Sequence, residues 1–150
     1  MEMSDYETIH TFLVDVWGRI NKIEERSLST SLDAEISITE IHIIEKIGDH
    51  QPRRMSEVSK ALGVTMATLT VACDRLETKG LVERARDHKD KRVVNVRLTA
   101  KGRAVYEYHK QFQDRMLEAA VSELTPQETS ILADSLLKLQ KFFLSESEST

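Results

Sequence analysis

The chain has 150 residues, 40% of them hydrophobic and 31% charged, with 25 acidic groups against 21 basic ones and a formal net charge of −4. Such a length and composition fit one folded domain with its own core and exclude a disordered polyelectrolyte. No apolar run approaches the roughly 18 to 20 residues that cross a bilayer, no basic start precedes a signal segment, and the single cysteine, Cys73, excludes an internal disulfide and most thiolate metal sites. The expectation is a soluble, cytoplasmic chain with no membrane partner and no cofactor.

From Tyr6 to Glu25 the apolar residues Ile9, Leu13, Val16, Ile20 and Ile23 alternate by four and three, which is the seam of a helix packed along another, and Phe12 and Trp17 broaden it. Such a stripe suits intrachain core or a dimer interface. Ser37-Ile-Thr-Glu40 is a capping box that opens a second helix through Ile41, Ile44 and Ile47, and Gly48-Asp49 stops it. A polar link, His50 to Arg54, follows. Ser56 or a neighbour then caps a short helix with Val58, Ala61 and Leu62 inward, ended by Gly63 in a position that suits left-handed backbone.

Thr65 restarts the chain as an N-cap. The next helix, Met66 to Lys79, turns Leu69, Ala72, Cys73 and Leu76 inward and ends at Gly80. Leu81 to Arg86 and Val93 to Leu98 alternate β-branched with polar residues, as paired strands do, with Asp87 to Arg92 at the hairpin tip. Thr99 caps a long helix with Val105, Tyr108, Phe112, Met116 and Ala120 as its inward stripe and Gly102 in its first turn. Thr125-Pro-Gln-Glu128 opens a last helix on which Leu132, Leu136, Leu139 and Phe143 again repeat by four and three, and Ser145 to Thr150 is expected to fray. The predicted fold class is mainly α with a small β-hairpin wing, a winged helix-turn-helix.

Charge is distributed unevenly over these elements. Between Pro52 and Arg103 stand 13 of the 21 basic residues and only six of the 25 acidic ones, about +7, whereas the remainder is about −11. A concentrated basic region favours phosphate, because counterion release depends on local charge rather than on the total. In a helix-turn-helix the second helix enters the major groove. Its outward residues here are Met66, Ala67, Thr68, Thr70, Val71, Asp74 and Arg75, mostly small and weakly charged. With Thr65 at the cap, Thr68 and Thr70 offer hydrogen bonds to phosphate or bases, and Met66, Ala67 and Val71 suit thymine methyl groups, which points to an A/T-rich operator. The tip residues His88, Lys89, Lys91 and Arg92 would reach a minor groove or flanking phosphates, with Asp87 and Asp90 holding arginine side chains in orientation.

These residues resemble the MarR family of bacterial winged-helix repressors. The resemblance lies in Asp74-Arg-Leu-Glu-Thr-Lys-Gly-Leu-Val-Glu-Arg84, Asp87-His-Lys-Asp-Lys-Arg92 and Leu98-Thr-Ala-Lys-Gly102, with His88 where the family often has proline and Lys91 where it often has arginine. It implies a single MarR-like domain over 1–150, in which helices of 1–36 and 103–150 form a homodimer and 37–102 bind DNA. It also implies a pseudo-palindromic double-stranded operator, with recognition helices in successive major grooves and Arg92 in a minor groove.

Ser37-Ile-Thr-Glu-Ile-His42, Val64-Thr-Met-Ala-Thr-Leu-Thr70 and Arg92-Val-Val-Asn-Val-Arg-Leu98 are most similar to the family's repressors of fatty acid synthesis genes in streptococci and lactic acid bacteria. That resemblance implies acyl-acyl carrier protein as corepressor, its chain in an apolar channel for which Phe12, Val16, Trp17, Ile20, Ile43 and Ile47 are candidates. The plain alternative for those six is ordinary core. The acidic carrier would favour a basic rim such as Arg19, Lys22 or Arg103.

Other readings carry less. Release by a small aromatic or other apolar ligand is the alternative within the family. A metal-responsive repressor would use His42 and His109, but the residue one turn after His109 is Gln113, Cys73 faces the core, and only Glu24 or His10 is left over. Redox sensing lacks a cysteine in residues 1–50. An enzyme is not expected, since no glycine-rich phosphate loop, nucleophile elbow or acid/base cluster is present.

Overall fold

Helix starts at Asp5, because the Ser4 hydroxyl accepts the Glu7 amide at 3.2 Å while the Glu7 carboxylate accepts the Ser4 amide at 2.8 Å. In this computed structural model, which describes residues 2–32, 35–49 and 52–148, helix α1 (Asp5–Thr11) runs through a π-helical turn (Phe12–Val16) into α2 (Trp17–Leu32). The single amphipathic helix expected from Tyr6 to Glu25 is thus longer and interrupted. One turn of five residues per hydrogen bond rotates everything after Val16 relative to α1, so the four-and-three seam is not one straight stripe.

The capping box at Ser37 is formed, and α3 (Ile38–Ile47) ends at Gly48 with φ +71°. His50 lies outside the described residues, and the end of the supposed link is structured. Arg53–Arg54 form strand β1, drawn out of the loop by pairing with a strand 40 residues on. Helix α4 (Met55–Leu62) has Arg54 as an N-cap without a side-chain bond, so Ser56 is not its cap. Met55, Val58 and Ser59 face inward while Ala61 is exposed, because eight residues offer only one narrow buried face. Gly63 adopts left-handed backbone at φ +67°, and α5 (Met66–Thr78) begins after Thr65.

Strands β2 (Val82–Arg86) and β3 (Val94–Leu98) form the wing, and the antiparallel sheet has the order β1-β3-β2. Val82, Val96 and Leu98 are buried on its inner face and join Ile41, Ile44, Ile47, Val58, Leu69, Cys73, Leu76, Leu81 and Val105 in one core. Helix α6 (Ala100–Ser122) is capped by Thr99, whose hydroxyl oxygen accepts the Gly102 amide at 3.1 Å; Val105 is buried, Tyr108, Phe112 and Met116 are half-buried, and Ala120 is exposed, so the expected stripe fades towards its end. Helix α7 (Pro126–Glu148) opens with the expected box, Glu128 amide to Thr125 hydroxyl at 3.2 Å. It continues through Glu148, so Ser145 to Glu148 are helical rather than frayed, and the last two residues lie outside the described part. The chain divides into two compact units at Gln111, inside α6.

Candidate nucleic-acid interface

Burying Leu69, Cys73 and Leu76 fixes the rotation of α5 about its axis and therefore decides what it shows to solvent. Met66, Ala67, Thr68, Thr70, Val71, Asp74 and Arg75 are all exposed, as expected, with Val71 at 54%. The three threonines are not equivalent. Thr65 donates its hydroxyl to Thr68 at 2.9 Å and accepts the Thr68 amide at 3.1 Å. Thr70 donates back to the Met66 carbonyl at 2.8 Å. Thr68 is left with the hydroxyl proton that is free to reach outward, and Thr70 presents chiefly its methyl group and an acceptor oxygen.

The wing is tied to this helix by a residue that sequence reading passed over. Arg84, in β2, donates through Nε to Glu77 at 3.0 Å and through its terminal nitrogen to the second Glu77 oxygen at 2.9 Å, and it also pairs with Asp74. Its amide donates to Glu77 as well, at 3.1 Å. These bonds hold the Glu77 carboxyl below the usual carboxylate range and raise the guanidinium above its own. At the far end of α5, Lys79 reaches back to Glu40 at 2.7 Å, so the carboxylate that caps α3 also anchors the recognition helix.

At the tip, Asp90 behaves as expected. Arg92, whose side chain is 91% exposed, meets both Asp90 oxygens at 3.1 Å, and that pairing holds the Asp90 carboxyl low. Asp87 corrects the expectation, because among the described residues it bonds no arginine side chain. Its carboxylate accepts the amides of Lys89 at 2.8 Å and Asp90 at 3.2 Å, and Asn95 Nδ2 at 3.3 Å, so its work is to build the turn. His88, Lys89 and Lys91 stand exposed around it. An aspartate two and three residues ahead of the amides it accepts was the signal available in the sequence.

Cys73 is fully buried 4.0 Å from the Met55 sulfur, and burial pushes its thiol up to about 11, so it carries no thiolate near neutral pH. His109 is also buried, and among the described residues neither ring nitrogen has a hydrogen-bond partner; burial lowers its pKa, against the pull of Glu24 and Glu45. Among the described residues no group of three or more His, Cys, Asp or Glu is placed to hold a metal ion. The six candidate effector residues divide: Phe12 and Trp17 are exposed, Val16 and Ile20 half-buried, Ile43 and Ile47 in the core. Ile43 also lines a cavity of about 170 Å³ with Thr39, His42, Leu62, Val64, Thr68, Leu69 and Ala72. No helix among the described residues is long and apolar enough to cross a membrane.

A small-residue helix braced by a cation-tipped hairpin defines a DNA-binding winged helix-turn-helix protein. Residues 36–94 match the MarR family model. The structure resembles that of Streptococcus pneumoniae FabT in complex with DNA, with a TM-score of 0.87 and 36% identity over 94% of this chain and 99% of that one. It shares its fold with an S. aureus MepR–DNA complex, at a TM-score of 0.76 and 23% identity over 95% of this chain and 99% of that one. The regulator YdgJ of Bacillus subtilis is 31% identical over 85 residues, 57% of this chain, and the match spans only about half of that relative, 52%. The chain belongs to the MarR family.

Proposed function

We propose that the chain is a homodimeric transcriptional repressor that reads a pseudo-palindromic, A/T-rich operator and controls fatty acid biosynthesis genes, with acyl-acyl carrier protein as corepressor. The observation that carries the reading is the exposed face of α5, small and methyl-rich, with Arg92 and its lysine neighbours beside it on the wing. Similarity to FabT, a protein solved with DNA, supports it at 36% identity. Exposed apolar side chains support a second copy: Ile9, Phe12 and Leu13 near the N-terminus, and Leu132, Leu136, Leu139 and Phe143 on α7, call for cover that water does not supply. Two recognition helices would then meet half-sites one helical turn apart.

The corepressor reading rests on the resemblance of the motifs around Ser37, Val64 and Arg92. Phe12 and Val16 are the first and last residues of the π-turn and Trp17 and Ile20 follow it; such a turn is a local irregularity often associated with function, and together with Ile43 and Ile47 these four are the proposed channel. Trp17 is the chain's one tryptophan, so its emission reports on that place. The test is titration of operator DNA with the protein alone, with unacylated carrier protein and with long-chain acyl carrier protein. Only the acylated form should tighten DNA binding and shift Trp17 emission; equal binding in all three would sink the corepressor role. The cavity beside Thr68 favours a second reading, release by a small aromatic or other apolar ligand, which the same titration would show as weakened binding.

A further inference from the structure

Arg53 and Arg54 are adjacent, identical and equally basic, yet strand geometry sends them to opposite faces. Arg53 pairs across β1 and β3 with Val96, which is fully buried, so it belongs to the inner face; its guanidinium donates to the Lys46 carbonyl that ends α3 and lies 4.0 Å from Glu57. Arg54 pairs with Asn95, and Asn95 in turn faces Ala85, so the three form one row across the outer face of the wing. Asn95 bonds Asp87 at the tip, and the positive charge of Arg54 helps to hold both Asp87 and Asp90 ionised.

Arg54 is exposed, and no carboxylate of the described residues lies within ion-pair distance of it. Four other arginines of the basic region are committed: Arg53 to α3, Arg84 to α5, Arg97 to Glu83 at 2.8 Å, Arg92 to Asp90. The pairing that folds β1 onto the wing therefore adds a free cation to it from outside the hairpin's own sequence. That cation stands on the carboxylate side of the tip, where Asp87 and Asp90 would otherwise repel phosphate.

We propose that Arg54 is a further DNA contact, a phosphate-binding residue placed at the base of the wing by strand β1. The inference rests on the DNA-binding reading above. Each protomer then neutralises one phosphate more than the recognition helix and wing tip supply, and the contact carries no sequence information.

The experiment compares wild-type protein, Arg54→Ala, Arg54→Lys and Arg92→Ala by fluorescence anisotropy on two duplexes, one A/T-rich and one of mixed sequence, over a range of salt concentrations. Arg54→Ala should bind both duplexes roughly three- to tenfold more weakly, and its log K against log salt slope should be shallower by about 0.9 per protomer. Arg54→Lys should keep the wild-type slope. Thermal unfolding of both variants should stay close to wild type, since among the described residues the side chain makes no ion pair at close range and acts on Asp87 and Asp90 only through its charge. The proposal is overturned if Arg54→Ala keeps wild-type affinity and slope while Arg92→Ala loses both, or if its affinity falls with no change of slope. Wild-type protein that binds neither duplex in a salt-dependent way defeats the underlying reading instead, a result distinct from any difference between variants.

Discussion

The backbone carbonyl of Leu81 occupies the place where a β-carbon on Gly102 would stand, 2.0 Å from it. That oxygen also accepts the Thr99 amide at 3.1 Å, so the start of the wing, the end of the wing and the first turn of α6 meet at one point. Glycine is required there by close approach, not by backbone angle. Gly102→Ala should destabilise the fold by about 1–3 kcal/mol through overpacking, against the roughly 1 kcal/mol that alanine gains over glycine inside a helix. Urea denaturation measures the difference. A variant as stable as wild type would mean that α6 and the wing can part without cost.

Arg84 should act as a strut between wing and recognition helix. Arg84→Met removes its bonds to Glu77 and Asp74 and is expected to cost about 1–2 kcal/mol, the partners being partly solvated. A cycle with Glu77→Gln should show coupling of the two residues, read as a non-additive loss of stability. Additive losses would separate them. DNA binding should weaken more than stability does, because the wing loses its fixed angle.

His109 gives the fold a pH dependence with a definite sign. Burial favours its neutral form, Glu24 and Glu45 oppose that and His42 reinforces it, and the net pKa is below the ordinary value. The unfolded chain therefore takes up this proton first as pH falls. Stability contributed by the neutral ring is complete above about pH 6.5 and declines as pH drops below it, levelling off beneath the folded pKa. His109→Leu should flatten that limb and, by removing two unpartnered nitrogens, raise stability at pH 7. An unchanged pH profile in the variant would assign the dependence elsewhere.

On the recognition helix, Thr68→Ala and Val71→Ala should change which duplex is preferred and leave overall affinity comparatively intact. Thr68 has the free hydroxyl and Val71 the exposed methyl groups. Competition among duplexes that differ at single base pairs measures this. Equal losses on every sequence would make both residues phosphate contacts or packing residues.

Much of this was legible because it was local. Capping boxes at Ser37 and Thr125, glycine stops at Gly48 and Gly63, and the spacing of Leu69, Cys73 and Leu76 all act within a few residues, and each fell where the sequence put it. What escaped was set at a distance. β1 exists only because β3 pairs with it, which made the Arg53–Arg54 link look like loop. Arg84 gains its role only once β2 lies beside α5. The π-turn leaves no mark in the hydrophobic pattern, and Ala61 looked buried because alanine at helical spacing carries too little apolar surface to decide its side.

The central claim is that charge supplies affinity and the uncharged face of α5 supplies selection. Binding of the wild-type protein to an operator selected from random duplexes and to an unrelated duplex, each followed across salt concentration, tests it most directly. Both affinities should fall steeply with salt, in nearly parallel lines, with the operator line lying above the other throughout. A flat salt response, or lines that merge at low salt into one, would contradict it.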